Sequence, residues 1–116
     1  MPSTRREPDA ELEPGVAEAI AKRFGGDAAL YQEFAAACAV QFEVDAAAGQ
    51  VACKAADLSR LRRLAHNLKS ALQMLGHERA SELAALVEER AAACDLESAC
   101  TSWNSLYPAL WQLKAP

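Results

Sequence analysis

The stretch from Leu58 to Leu75 reads LSRLRRLAHNLKSALQML, and its apolar residues decide the fold. These residues lie at positions 58, 61, 65, 68, 72 and 75, at intervals of 3-4-3-4-3. This period is typical of a helix packed in a bundle. Asp57 precedes the run and can cap the helix by accepting hydrogen bonds from free backbone N–H groups of the first turn. Gly76 follows it and tolerates the left-handed conformation that ends many helices. The stretch therefore predicts an amphipathic helix with a defined start and end.

The N-terminal part of the chain predicts a tail and one short helix. Residues 1–11 combine charges and two prolines with almost no large apolar side chain, so we expect a disordered tail there. Pro14-Gly15 then opens a short amphipathic helix with apolar side chains at positions 16, 20 and 24. Gly25-Gly26 ends this helix, and Asp27 is the predicted N-cap of the next one.

A longer helix is expected from about Ala28 to Ala55. Gly49 lies inside it and costs about 1 kcal/mol relative to alanine, yet we expect the helix to continue through this residue. Its inward side is predicted to consist of the apolar residues Leu30, Phe34, Cys38, Val44, Ala48 and Val51.

Two further helices follow Gly76. The first is expected from His77 to Cys94, with inward residues Ala80, Leu83, Val87, Ala91 and Cys94. Asp95 is the predicted N-cap of the second, in which Pro108 should produce a kink. This last helix repeats the 3-4-3-4-3 spacing with Leu96, Ala99, Trp103, Leu106, Leu110 and Leu113.

Composition and connection lengths give the fold class. The chain has 116 residues, of which 27 are alanine against 5 valine, 1 isoleucine and 2 threonine, and this excess of helix formers argues against a sandwich or barrel. Short connections favour antiparallel neighbours. We therefore predict an all-α domain over residues 12–116, an antiparallel up-and-down four-helix bundle with a short N-terminal helix.

Charge, hydropathy and cysteine usage exclude several function classes. The formal net charge is −4, so we expect no nucleic-acid binding, which needs a basic face. No apolar run is long enough to span a membrane, and the N-terminus lacks the apolar core of a secretory signal, so we expect a cytoplasmic protein. The four cysteines lie at positions 38, 53, 94 and 100. We expect them to stay reduced and to pack as small apolar residues, and their spacing does not indicate a zinc site.

One histidine lies on the polar side of the leucine-rich helix. A rotation of 100° per residue places His66 about 140° from the centre of the apolar stripe, so its imidazole should face solvent. Such a residue is most often only a solvated side chain. Here Lys69, three residues on, could supply a cation to phosphoryl oxygens, and the small Ser70 would allow another protein to approach the ring.

This segment resembles the centre of histidine phosphotransfer (HPt) domains of bacterial phosphorelays. Their pattern has a leucine two residues after the histidine, a lysine three, a small residue four and a glycine ten residues after it, and the matching residues here are His66, Leu68, Lys69, Ser70 and Gly76. Serine stands where the family most often has glycine. The resemblance covers about residues 12 to 113, and the family fold is the predicted antiparallel four-helix bundle.

The resemblance implies a phosphoryl carrier. His66 would accept the group from the aspartyl phosphate of one receiver domain and pass it to another, Lys69 would stabilise the phosphoryl charge, and Ser70 or Gln73 would orient the group or allow close approach. The protein would be a stoichiometric carrier, not an enzyme with an ATP site. It would need no metal or cofactor of its own, because the Mg²⁺ belongs to the receiver domain.

The resemblance also implies partners and a docking surface. The expected partners are response-regulator receiver domains and a sensor histidine kinase, including hybrid kinases, and the carrier itself is expected to be a monomer. Arg62, Arg63 and Met74 surround His66 along the helix and are candidate partner contacts. Two other features are expected to have no chemical role: His77 as a helix-start residue, and Glu88-Glu89-Arg90 as a solvated charged run.

Two other functions fit a small helical chain. A helical adaptor could dock a receiver domain or a kinase and inhibit it without being phosphorylated, although such an inhibitor would not need His66 together with Lys69. A helix-turn-helix DNA-binding protein is disfavoured by the acidic charge and by the lack of a basic recognition helix. The effect of replacing His66 separates the carrier from the adaptor.

Overall fold

The computed structural model describes residues 14–114, and the predicted tail over residues 1–11 lies outside them. The described part of the chain is all-helical, without a strand, which confirms the predicted class. Its five helices, numbered in chain order, are α1 (Pro14–Arg23), α2 (Ala28–Lys54), α3 (Leu58–Leu75), α4 (Glu78–Ala92) and α5 (Leu96–Leu113). None of these helices is long and apolar enough to cross a bilayer.

Aspartate caps and glycine stops define the helix ends as the sequence predicts. Three aspartates each accept a hydrogen bond from the backbone N–H three residues later, which satisfies one of the free donors of the first turn; they are Asp27, Asp57 and Asp95. Gly76 ends α3 in the left-handed conformation, with φ of 85°. The helix boundaries are therefore encoded locally.

Contacts between helices show that two pairs run antiparallel. The His77 N–H donates to the carbonyl of Leu72, and the Ser81 hydroxyl donates to the carbonyl of Lys69 at 3.2 Å. Helix α4 therefore runs antiparallel to α3 after the turn at Gly76. Helix α5 runs beside α2 in the same opposed sense and also packs against α4, while α2 packs against α3. Four long helices thus surround one core that contains Trp103 and the leucines of α3 and α5.

Helix α2 runs through Gly49 as expected, but its predicted inward side is wrong. Four of the residues assigned to that side have 38% to 56% of their surface exposed: Leu30, Phe34, Val44 and Val51. The residues that α2 buries are Tyr31, Phe42, Asp45, Ala46, Gly49 and Ala52. The physical reason is Trp103, whose ring packs so closely on Gly49 that a methyl group at this position would collide with it. The bulky ring of α5 thus selects the side of α2 that carries the small residues.

The cysteines depart from the prediction that all four stay reduced. Cys53 and Cys100 form a disulfide between the end of α2 and the start of α5, with a Cα–Cα distance of 5.8 Å. The antiparallel packing of these helices places the two residues at the same level, within the range that a disulfide requires. Cys38 is half-buried, and this burial raises the pKa of its thiol.

Helices α4 and α5 largely follow their predicted apolar periodicity. Their predicted inward residues that are buried are Ala80, Val87, Ala91, Ala99, Trp103, Leu106 and Leu110. Cys94 and Leu96 are also predicted to point inward, but both are exposed. Because α4 already ends at Ala92, Cys94 lies in the α4–α5 turn with φ of 60° and no longer follows the helix period. Helix α5 continues through Pro108 to Leu113.

The short helix α1 packs against the C-terminal part of α3. Its anchor is a backbone-to-backbone contact between Gly15 and Gly76, where a methyl group on either glycine would collide with the backbone of the other. Val16 and Ala19 are buried beside this contact. The start of α1 is therefore held against the α3–α4 turn.

Candidate functional site

Helix α3 separates its apolar stripe from a polar outer side. Five residues of the stripe are fully buried, as its period predicts: Leu61, Ala65, Leu68, Leu72 and Leu75. His66 lies off this stripe with 59% of its side chain exposed. The core therefore fixes the rotation of α3, and that rotation presents the imidazole to solvent.

A carboxylate from α4 joins the histidine and the lysine of α3. Glu88 places Oε2 2.9 Å from Nδ1 of His66 and Oε1 2.7 Å from Nζ of Lys69. Its side chain is 21% exposed, less than those of His66 and Lys69. One carboxylate therefore binds both side chains and holds them side by side.

The charge of Glu88 determines where the imidazole carries its proton. The hydrogen bond from Lys69 is the largest influence on the Glu88 carboxyl and, together with that from His66, lowers its pKa against the raising effect of burial. An ionised carboxylate only accepts hydrogen bonds, so Nδ1 of His66 must be the donor. Among residues 14–114, no side chain or backbone group bonds Nε2. A neutral ring in this tautomer has its free lone pair on Nε2.

Glu88 is not predicted as a site residue by the sequence, because the run Glu88-Glu89-Arg90 has the pattern of a solvated charged face. The register of a helical hairpin could have identified it. His66 lies ten residues before Gly76 and Glu88 lies eleven residues after His77. Two antiparallel helices that rise equally per residue bring such positions to the same level.

The two arginines predicted to contact a partner lie close to His66. A shallow depression contains both of them together with the histidine; its lining residues are Ser59, Arg62, Arg63, His66, Asn67 and Glu88. Helix α3 has four basic residues, at positions 60, 62, 63 and 69, and no acidic one. The depression around the imidazole thus has two arginines and the one carboxylate of Glu88 on a chain with a net charge of −4.

Ser70, Gln73 and Met74 lie in a separate depression further along α3, which they share with Arg23 of α1. Met74 is 43% exposed, an unusual position for an apolar side chain on this helix. Among the described residues, neither Ser70 nor Gln73 forms a hydrogen bond with His66. The structure therefore brings His66 together with Lys69 and the arginines, and places Ser70, Gln73 and Met74 on an adjoining surface.

The described part of the chain contains no group of three or more histidine, cysteine, aspartate or glutamate side chains that could hold a metal ion. His66 and Glu88 are paired with each other and with Lys69. The site thus consists of an exposed imidazole that is hydrogen-bonded to a carboxylate, with an ammonium group on the same carboxylate.

Comparison with known proteins gives one match. The family model described as Hpt domain matches residues 29–113, from the second residue of α2 to the end of α5, and so includes the whole His66 site. No curated protein and no solved structure matches the chain. The matched segment covers well over half of the 116 residues.

Proposed function

The chain belongs to the Hpt domain family, and from that premise we propose that it carries a phosphoryl group on His66 between the aspartates of two receiver domains. Domains of this family are phosphocarrier modules of phosphorelays. The observation that supports His66 as the acceptor is its pairing with Glu88, which leaves Nε2 of a largely exposed ring without a partner among residues 14–114.

In the proposed transfer, Nε2 of His66 attacks the phosphorus of an aspartyl phosphate in line. The new P–N bond forms as the P–O bond to the aspartate breaks, and the aspartate leaves as a carboxylate. No proton has to leave the ring, because the hydrogen on Nδ1 stays in its bond to Glu88. The negative carboxylate of Glu88 balances the positive charge that the phosphorylated ring acquires. The reverse sequence delivers the group to a second aspartate.

Lys69 has the role of stabilising the phosphoryl oxygens. Its ammonium group is bound to Glu88, and its side chain is one-third exposed. It lies one helical turn from His66, a spacing at which two side chains of a helix are neighbours. The long side chain can reach oxygens on Nε2 while Glu88 keeps it near the ring. Negative charge that spreads over the equatorial oxygens in the transition state would then meet a fixed cation.

The protein acts as a stoichiometric, monomeric carrier, with its four long helices in up-and-down order, and it takes Mg²⁺ chemistry from the receiver domain. Receiver domains and a sensor histidine kinase dock over the arginines and Met74. Ser70 leaves room for the approaching partner, and Gln73 contributes to its orientation.

The test is phosphoryl transfer from receiver domains that have been loaded with acetyl phosphate and Mg²⁺ and then desalted. Intact mass spectrometry detects the transferred group, and an acid-labile, base-stable adduct identifies phosphohistidine. The variants are His66→Gln and, as the matched control, His77→Gln at the other histidine of the chain. We expect one phosphoryl group on the parent and on His77→Gln, and none on His66→Gln.

The same experiment tests the adaptor alternative. A folded parent protein that binds a loaded receiver but is never labelled would contradict the carrier and favour an inhibitory adaptor. In that case His66→Gln would bind and inhibit as well as the parent does.

A further inference from the structure

Helix α1 is an addition to the family-matched part of this chain. The match begins at residue 29, whereas α1 spans Pro14–Arg23. The close contact between Gly15 and Gly76 fixes the start of α1, and two buried side chains, Val16 and Ala19, attach its next turns. A helix anchored in this way holds its far end in a defined place on the surface.

The far end of α1 places the cation Arg23 in the depression that adjoins the His66 site along α3. Arg23 is exposed and lines the same depression as Ser70, Gln73 and Met74. Its neighbour Lys22 forms an ion pair with Glu18 at 3.1 Å. Arg23 forms no ion pair with any residue of the described range 14–114. Its guanidinium group is therefore available to a partner that covers this depression.

The charge around Arg23 indicates what such a partner must carry. The α3 residues that line this depression are uncharged, so Arg23 is the charged group among its lining residues. Met74 provides an exposed apolar contact in the same depression. An arginine next to an apolar side chain matches a carboxylate that is flanked by an apolar residue.

We infer that Arg23 is a specificity-determining residue for phosphoryl transfer. It binds a carboxylate on the docking face of those receiver domains that this carrier serves, while an adjacent apolar residue of the receiver packs on Met74. This inference rests on the proposed function, because it assumes that a receiver domain docks over His66. It adds to that function a residue outside the family match.

The position of Arg23 predicts an effect on docking and not on chemistry. The depression that it lines begins one helical turn beyond His66, and neither His66 nor Lys69 belongs to it. A charge that touches only the rim of a docking surface changes association and affinity, whereas the transfer step depends on groups at the phosphorus. Replacing Arg23 should therefore weaken receiver binding and leave the limiting rate of transfer intact.

The experiment measures single-turnover transfer at increasing concentrations of the receiver that labels the parent protein fastest. The dependence on concentration gives an apparent Kd and a limiting rate for the parent, Arg23→Ala and Arg23→Glu. Lys22→Ala is the matched control, because this exposed cation lies next to Arg23 but outside the depression. We expect about a fivefold weaker Kd for Arg23→Ala and thirtyfold for Arg23→Glu, with limiting rates within about twofold of the parent.

A charge exchange identifies the contact. Each carboxylate on the receiver's docking face is replaced by lysine in turn, and one such variant should restore the affinity of Arg23→Glu while weakening that of the parent. Unchanged Kd values for Arg23→Glu, or an equal loss in Lys22→Ala, would overturn the inference and leave phosphoryl carriage by His66 standing. A parent protein that no receiver labels would overturn both proposals.

Discussion

Nδ1 of His66 lies 2.9 Å from a carboxylate oxygen of Glu88, a residue 22 positions later in the chain and on a different helix. The second oxygen of the same carboxylate binds Lys69 at 2.7 Å. This relationship turns an exposed histidine into a ring of defined tautomer with an ammonium group beside it. It also makes the positions of the His66 ring and the Lys69 ammonium group depend on the packing of α3 against α4.

The first prediction concerns Glu88 as a positioning residue. Glu88→Ala should slow phosphorylation of His66 by about ten- to a hundredfold, because a hydrogen bond to a charged group contributes about 1.5–3 kcal/mol. Glu88→Gln should recover part of the rate, since its amide oxygen can still accept the Nδ1 hydrogen. The measurement is the limiting rate of single-turnover transfer from a loaded receiver domain.

Glu89→Ala is the control for this prediction, because it removes a neighbouring carboxylate that does not bind His66 or Lys69. Its limiting rate should match that of the parent. If Glu88→Ala transferred as fast as Glu89→Ala, the pairing would have no part in the reaction.

The second prediction concerns Gly49→Ala, for which side-chain packing and helix propensity have opposite effects on stability. Alanine is the better helix former by about 1 kcal/mol, so local structure alone would make Gly49→Ala stabilising. The collision with Trp103 should instead lower the free energy of unfolding by about 1–3 kcal/mol. Urea denaturation followed by circular dichroism measures the change. In a Trp103→Leu background the same substitution should lose its cost; a stabilising effect in the parent would contradict the observed packing.

The third prediction concerns the disulfide between α2 and α5. The linked residues are 47 positions apart, so reducing the bond frees a long loop in the unfolded chain and should cost about 2–4 kcal/mol of stability. Urea denaturation with and without dithiothreitol measures this cost. The free energy of unfolding of Cys53→Ser should equal that of the reduced parent. Cys94→Ser replaces an exposed free cysteine, so dithiothreitol should destabilise this variant as much as it destabilises the parent. Alkylation of all four cysteines in the unreduced, denatured protein would show that the bond does not form.

The fourth prediction is a pH dependence that arises from Asp45. Burial raises the pKa of this carboxyl, and the hydrogen bond from Gln41 opposes the shift only in part. An acid with a raised pKa in the folded state gives stability that is present at low pH and is lost as the pH rises through the folded pKa. Asp45→Asn keeps an acceptor for Gln41 and removes the charge.

The free energy of unfolding of Asp45→Asn should therefore exceed that of the parent at pH 7, and the difference should shrink on acidification. Denaturation curves at several pH values check this, with Glu43→Gln as the control on the exposed side of α2. If the difference in the free energy of unfolding stayed constant with pH, the charge on Asp45 would not destabilise the native protein, and the prediction would be wrong.

The parts of the structure that could be predicted are those with local signals. The stripe of α3, the cap at Asp57 and the stop at Gly76 each depend on residues within a few positions, and together they determine that His66 faces outward. The buried side of α2 could not be inferred in this way. Its abundance of alanine offers several apolar sides, and the choice depends on Trp103, which is 54 positions from Gly49 along the chain.

The same difference between local signals and long-range packing explains which residues of the site could be predicted from the sequence. His66 and Lys69 share one helix, so their spacing reveals them as a pair. Glu88 joins them only after the hairpin around Gly76 has formed, and its sequence neighbours are ordinary surface charges. Arg23 likewise reaches the edge of this surface through the contact between Gly15 and Gly76.

In the proposed mechanism, Glu88 holds the proton on Nδ1 of His66 and so leaves Nε2 to take the phosphoryl group. Long-range ¹H–¹⁵N NMR of the ¹⁵N-labelled protein, before and after phosphorylation, tests this directly, with His77→Gln used to assign the two rings. We expect a protonated Nδ1 and an unprotonated Nε2 in the neutral ring, followed by coupling of Nε2 to phosphorus after transfer. A proton on Nε2 in the free protein, or phosphorus on Nδ1 after transfer, would contradict it.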